Sequence, residues 1–498
     1  MIADRSIPED GRALVAIDLG AESCRVSLLR WINGVPEIQQ IHCVPNGPEQ
    51  RRGRLLWPMD RILDGIEEGL RKAAAAAPEG IRSIAVDGWA VDYVRLTSIA
   101  HAQPSDLDAP YCYRDERTVE SKLAADLVIQ PAELFTITGA QPLRINTVYQ
   151  LLADNVAGIE ARAPWILLPE YVLFHLGGRR VAEYTNATHT GLVNLQTGTW
   201  SRSISERLGL SIAAAPPIVR SGTVVGKLAG DLAQLPAFRD TQLIAPACHD
   251  TASAIAAVTA DLSQTAYLVC GTWSLAGTVV DKPIVSEAAE RAGFTNQGAA
   301  AGGYCFHTNI NGMWLLKQCI DAWCAKEREI DLVTLVEDAA RVTDIPGQIA
   351  VDSPQLLLSG DMPARINAEL EGRRCSPILD VPGNEGIVAR VIFASLAARY
   401  SNVLADLARL TGRTFQQVTM LGGGSRNAVL KRITEESTGL PVTVGEAEGS
   451  TLGNFAIQLA AAEEQPGAAL PSETIRKWAA RLSHDTREVK QYLTAVDT

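Results

Sequence analysis

The chain has 498 residues, 47% of them hydrophobic, more than one compact core takes up, so a globular protein with two domains of over 200 residues each is expected. With 57 acidic against 45 basic side chains its formal charge is -12, which argues against nucleic acid or an anionic membrane as the main partner and favours a small molecule. The opening MIADRSIPEDG leads into no apolar signal region, no span is long and apolar enough to cross a bilayer, and nine scattered cysteines without a CxxC pair read as reduced thiols, so a cytoplasmic protein without structural zinc is expected.

The ordered part opens with ALVAIDLGAESCRVSLLRW, residues 13–31, where apolar runs on either side of Gly20 and a polar tetrad predict strand, tight turn, strand. Asp18 ends the first run, a costly place for a charge unless something at the strand tip needs it, such as a hydrated metal ion. The turn is either an ordinary hairpin or a set of amides and hydroxyls aimed at a phosphate. Residues 58–78 carry Ile62, Ile66 and Leu70 at helical spacing and end at Pro78. In SIAVDGWAVDYVRL, residues 83–96, Asp87 and Asp92 bracket Gly88, Trp89 and Ala90; a strand breaking into a loop there places carboxylate beside indole, the combination that binds polyols. YRDERT, ending at Thr118, is dense in charge, and a solvated ion pair accounts for it equally well.

Residues 137–154 read as a glycine and proline loop entering a helix, and EYTNATHTGLVNLQTGTWS, 183–201, as a polar loop followed by a short strand and turn. Prolines 216, 217 and 246 punctuate the approach to CHDTASAIAAV, and the domain boundary falls near Pro246, dividing 12–246 from 247–485. CHDTASAIAAV, 248–258, is a helix start, where Asp250 is either a plain cap or a carboxylate held ionised by the helix dipole and able to accept a proton. TAYLVCGTWSLAGTVV, 265–280, then repeats the strand, turn, strand figure of the opening, which indicates internal duplication and two polar turns that would clamp a polyphosphate between them. TNINGMWLLKQC, 308–319, enters a helix from a polar loop, and an amphipathic helix at about 385–411 closes at Gly412. In QQVTMLGGGSRNAVLKRITEESTG a strand runs into Gly422, Gly423 and Gly424 and then a helix, a turn that lets a flat ligand approach the main chain. GSTLGNFAIQLAAA, 449–462, is a small-residue helix suited to pack beneath such a ligand, and from about 481 the tail is charged and peripheral.

In this order, DGWAVDY, YRDERT, HDT, GTWS, NINGMW and GGGSRN resemble the FGGY carbohydrate kinases over residues 13 to about 462, and GWAVDY, YRDERT, EYTNAT and CGTWSL most resemble the rhamnulokinase branch. The resemblance implies two actin-like, ribonuclease H-like α/β domains flanking a catalytic cleft, ATP and Mg2+ as cofactors, and a ketose phosphorylated on its primary hydroxyl. It implies that Ala21, Glu22, Ser23, Cys24 and Arg25 form the first ATP loop, that Thr272 meets the phosphates, and that Gly422 to Gly424 hold the adenosine. Asp250 becomes the proton acceptor, His249, Thr251 and Asn309 sugar contacts beside Trp89, Ala90 and Asp92, and Asp18 the group behind the metal through water. The chain departs from the family at Ala90 and Cys24, where glycines are usual, and at Lys317, where a related kinase has a glutamine near ATP; the lysine either contacts phosphate or points to solvent. The expected assembly is a monomer or homodimer. Rival readings are L-fuculose or another ketose as substrate, and an actin-like ATPase without a sugar; a dehydrogenase is disfavoured because DLGAESCR lacks the spaced glycines.

Overall fold

The structure is a computed structural model and describes residues 10–96, 110–465 and 467–483. Its frame is two six-stranded sheets of matching plan. In the first, β1 (Ala13–Leu19), β2 (Ser23–Ile32), β3 (Val35–Pro45), β4 (Ile81–Gly88), β5 (Thr223–Lys227) and β6 (Gln242–Ala245) lie in the order β5-β6-β4-β1-β2-β3. β1, β2 and β3 pair antiparallel, while β4 lies parallel to β1 and β6 parallel to β4.

The second sheet is built from β7 (Thr265–Cys270), β8 (Trp273–Val280), β9 (Phe294–Gly298), β10 (Tyr304–Asn311), β11 (Gln417–Leu421) and β12 (Val442–Val444), in the order β9-β10-β8-β7-β11-β12. β7, β8 and β10 repeat the antiparallel meander, and β11 and β12 repeat the two parallel strands. The duplication read from the two polar turns is therefore one of whole sheets, with the sixth strand added at opposite edges. All seven residues of β1 are buried, as expected of a central strand covered on both faces.

Helix α1 (Met59–Ala76) buries Ile62, Ile66 and Leu70 as their spacing predicts. A Cβ on Gly69 would lie 2.5 Å from Val26, so the glycines on this face let the helix sit close to the sheet. α3 (Glu385–Thr411) ends at Gly412 in the left-handed region, φ 65°. By length and hydropathy α3 does match a membrane span, contrary to the sequence reading, but its apolar residues from Val388 to Leu407 are buried in the core around the second sheet.

The other differences lie where polar residues are buried. EYTNAT is no exposed loop: Glu183, Thr185, Asn186 and Thr188 are buried. Asn309 and Asn311 end a strand, β10, rather than lie in a loop. Residues 472–483 form a helix whose Trp478 and Leu482 pack with Leu14, Ala16 and Leu29 of the first sheet, so the chain at 481 and 482 is not peripheral, and the rest of the charged tail lies outside the described residues. α4 (Gly449–Glu463) lies against β1 and β4 and crosses helix α2 (Asp250–Ala256). Gln458 donates to the Val15 carbonyl at 3.0 Å and accepts from the Ser83 hydroxyl at 2.6 Å, so the last part of the chain is bonded into the first sheet.

Candidate active site

The tips of β1 and β4 and the start of α2 converge. Asp18, next to last in β1, lies directly opposite Asp87 of β4, and Gly88 forms a parallel bridge with His249. The Gly88 amide donates to the Cys248 carbonyl at 3.0 Å and the Trp89 amide to the Leu19 carbonyl at 3.3 Å, fixing the GWAVDY loop between the first turn and HDT.

Asp250 is the first residue of α2, not its cap; His249 holds the cap position in extended geometry. The Asp250 carboxylate instead accepts from the Thr251 amide and, at 3.1 Å, the Thr251 hydroxyl, with His249 Nε2 at 3.4 Å. Burial pushes Asp250 up to about 6, against the pull of the Thr251 bonds, so the dipole expectation of a lowered value is reversed, although the group stays ionised at neutral pH. Asp18 also rises to about 6, first through burial and then through the charge of Asp250, and is bonded by Arg25 at 3.3 Å and Ser450 at 3.1 Å. Asp87 is fully buried and raised well above the ordinary range by burial and by Asp18. It accepts from Asn454 at 2.8 Å through one oxygen, and its other oxygen has no partner. Among the described residues no three His, Cys, Asp or Glu side chains close around a metal.

Asp92 differs from expectation. It is buried, with Oδ2 accepting from the Trp57 indole (2.6 Å), the Trp89 indole (3.1 Å) and the Tyr113 amide (3.1 Å), and Oδ1 accepting from Gln150 (3.0 Å). These bonds tie Asp92 to both indoles and to Gln150, so that it holds Trp89 in place. Beside it Val91 has φ 71°, a strained conformation for a β-branched residue, kept by the Thr147 hydroxyl donating to its carbonyl at 2.7 Å. YRDERT is not a solvated ion pair either: Arg117 reaches buried Asp154 and stacks on Tyr111, with its guanidinium carbon 3.9 Å from the ring centre.

Of the first turn, Ala21, Ser23 and Arg25 are half-buried and Glu22 is exposed, whereas the Cys24 side chain joins the core between β2 and α1, leaving only its main chain for a ligand. In the second turn Thr272 is half-buried, and its carbonyl accepts from the Trp314 amide at 3.1 Å. The glycine loop lies against this turn: a Cβ on Gly422 or Gly424 would come within 2.9 Å of Cys270, while one on Gly423 meets nothing. Two of the three glycines thus serve internal packing, and Gly423 alone is open for close approach. Asn309 is exposed, and Lys317 makes a surface ion pair with Asp321 at 2.7 Å, the solvent-facing alternative.

The sequence reading passed over the residues that set the HDT stretch. Glu183 accepts from the Cys248 amide at 2.9 Å and the Ser221 hydroxyl at 2.7 Å, and the Thr185 hydroxyl accepts from the His249 amide at 3.3 Å. A glutamate inside EYTNAT, between apolar segments, was the available signal.

The N-terminal domain of the FGGY family of carbohydrate kinases matches residues 13–257 and its C-terminal domain residues 266–462. The chain belongs to this family. As an FGGY carbohydrate kinase it is a phosphotransferase with an alcohol acceptor, uses ATP, and has the family's actin-like ATPase fold. Among solved structures it is similar to a ligand-bound xylulose kinase from Lactobacillus acidophilus, at 18% identity over 97% of this chain and 98% of that one, with a TM-score of 0.72. A gluconate kinase from the same organism gives the same figures, 18%, 97%, 98% and 0.72. The glycerol kinase of Plasmodium falciparum with ADP is 14% identical over 97% of both chains, with a TM-score of 0.72. At such identities the likeness establishes the fold, and the acceptor must be argued from the site.

Proposed function

We propose that this FGGY kinase transfers the γ-phosphoryl group of ATP to the primary hydroxyl of L-rhamnulose, giving L-rhamnulose 1-phosphate. The observation that carries the kinase reading is the placing of Asp250, half-open at a helix start with His249 and Thr251 beside it, while the choice of sugar rests on the resemblance carried by GWAVDY, YRDERT, EYTNAT and CGTWSL. In this reading Asp250 accepts the hydroxyl proton as the sugar oxygen bonds to the γ-phosphorus. The bond from that phosphorus to the β,γ-bridging oxygen breaks, and ADP leaves with the electron pair. Little more is asked of the protein than alignment and exclusion of water.

The main chain of Ala21 to Arg25 and Thr272 would hold the phosphates from the two turns, with Gly423 against the adenosine and Lys317 at its periphery. Trp89 and Ala90, His249, Thr251 and Asn309 would line the sugar, Ala90 trimming the space that a glycine leaves. Asp92 is a positioning residue for Trp89. The like charges of Asp18 and Asp250, beside the unpaired oxygen of Asp87, fit Mg2+, which Asp18 would hold through water. Bound there, Mg2+ neutralises charge on the phosphates. We place the domain division at Pro246, giving 12–246 and 247–485.

L-Fuculose, the C4 epimer, is the competing substrate within the same chemistry. ADP release measured across a panel of ketoses, with and without Mg2+, tests both levels. L-Rhamnulose with the highest kcat/KM and dependence on Mg2+ are expected. A higher kcat/KM for L-fuculose or a ketopentose defeats the sugar assignment, and ATP hydrolysis that no ketose stimulates defeats the ketose kinase reading.

A further inference from the structure

Next to His249 lies a seam between the two halves where buried polar atoms have no partner. His189 stacks near His249 with ring centres 3.9 Å apart, and its Nδ1 lies 3.0 Å from Gln297 Nε2 on edge strand β9. His189 Nε2 and Gln297 Oε1 are buried and unpaired. So is Nε2 of His307, whose Nδ1 meets the Tyr267 hydroxyl at 2.8 Å. His189 and Gln297 are each 9% exposed and His307 0%, and burial lowers the pKa of both histidines, so these are neutral rings.

Neutral groups in this arrangement have a defined capacity. With the Gln297 amide donating to Nδ1, the His189 proton sits on Nε2, leaving that N–H and the second amide N–H as donors and the Gln297 oxygen as a free acceptor. If the amide is reversed, Nε2 becomes the acceptor and both amide N–H groups the donors. Either way the pair keeps at least one free donor and one free acceptor. Each group left unpaired costs roughly 1–3 kcal/mol, and several together in one seam are expected where a ligand completes the bonding. A carbohydrate diol supplies one acceptor and one donor at adjacent carbons.

We infer that His189 and Gln297, backed by His307, form a polyol subsite for the ketose hydroxyls remote from the reacting one, and that this pair sets which ketose is accepted. The inference rests on the proposed ketose kinase activity, in which Asp250 takes the primary hydroxyl and the rest of the sugar extends past His249. The subsite draws on both halves: Thr188 accepts from the Gly298 amide at 2.8 Å beside the His189–Gln297 bond, so the sugar is held only with the seam closed. The unpaired atoms are sealed from solvent as the halves stand, and the seam must part to admit the ligand.

The test uses His189→Phe and Gln297→Met, which keep volume and remove polar atoms, in the full-length protein. Folding is checked by melting temperature, and kinetics are measured with L-rhamnulose, L-fuculose and ATP. The expected result is a KM for the ketose raised at least tenfold and a C4-epimer preference reduced at least tenfold, with kcat within about threefold and the KM for ATP unchanged. Folded variants that keep both the ketose KM and the epimer preference overturn the subsite while leaving the kinase reading intact. Wild-type protein that no ketose stimulates overturns both. Should a variant not fold, 15N-histidine spectra of the wild-type protein decide: the ketose must shift the His189 ring signal, and an unmoved signal overturns the subsite.

Discussion

Asp250 combines two properties that a helix dipole alone does not give: it is ionised at neutral pH, yet its pKa is raised by burial to about 6. A base with a raised value keeps its proton to higher pH, so activity is lost on the acid side. We expect kcat/KM to be flat above about pH 7 and to fall tenfold per unit below about 6; a profile flat to pH 4.5 would remove Asp250 from the chemistry. Glu170 makes the opposite kind of statement, about stability. It is fully buried and raised from 4.5 to about 8 by burial, so between these values the folded chain binds the extra proton and stability falls as pH rises. Its oxygens accept from the Glu183 amide and Asn186, whose own buried Oδ1 is unpaired, so a glutamine fits once Asn186 turns over. Glu170→Gln is expected to raise stability at pH 8.5 by at least about 1 kcal/mol in denaturant unfolding, and a loss of that size contradicts the shift. Residues of this kind mark the limit of a sequence reading. Asp18 was legible because a charge ends an apolar strand, and Asp87, carrying the same signal, was noticed but given no role. The burial of the Asp92 and Cys24 side chains is set by packing from distant parts of the chain, which the motifs do not show.

The elements themselves were largely legible. β1 and β2, α1, the strand into Gly422 and α3 follow from runs and spacing, and Gly412 and Gly439 end their helices in left-handed geometry. What the pattern hides is where a polar stretch is buried by distant parts of the chain, as EYTNAT is beneath HDT. Another hidden feature is the crossing of α2 and α4. A Cβ on Gly453 would lie 1.8 Å from the Ser253 carbonyl oxygen, so no side chain fits there, and the small residues assigned to a ligand serve helix contact instead. Gly453→Ala must push the helices apart and is expected to cost about 3 kcal/mol or more. Gly423→Ala, with nothing near its Cβ, is expected to leave the melting temperature within about 1 °C and, as the open face of the proposed adenosine site, to raise the KM for ATP. Equal thermal effects of the two substitutions would contradict the packing described for both.

At the scale of the molecule, the repeated turns predicted two similar halves, and the two sheets have that plan. The halves are less separate than a cut at Pro246 implies. α4 and the helix over 472–483 return to the first sheet, and β9 of the second sheet is bonded to the first half, the Asn296 amide to the Gly139 carbonyl at 2.8 Å. Asp18 and Asp87 face each other at the tips of β1 and β4, and Asp250 starts α2, which α4 crosses, so the proposed carboxylate chemistry lies where the returning chain meets the first sheet. The most direct measurement is the turnover of Asp250→Asn, a near-isosteric change at the first residue of α2 that preserves the fold. With wild-type protein releasing ADP in proportion to ketose phosphorylated, kcat of the variant is expected to fall at least about 100-fold, with ATP affinity and melting temperature nearly unchanged. An Asp250→Asn protein that turns over a ketose within about threefold of wild type would contradict the assignment of Asp250 as the base.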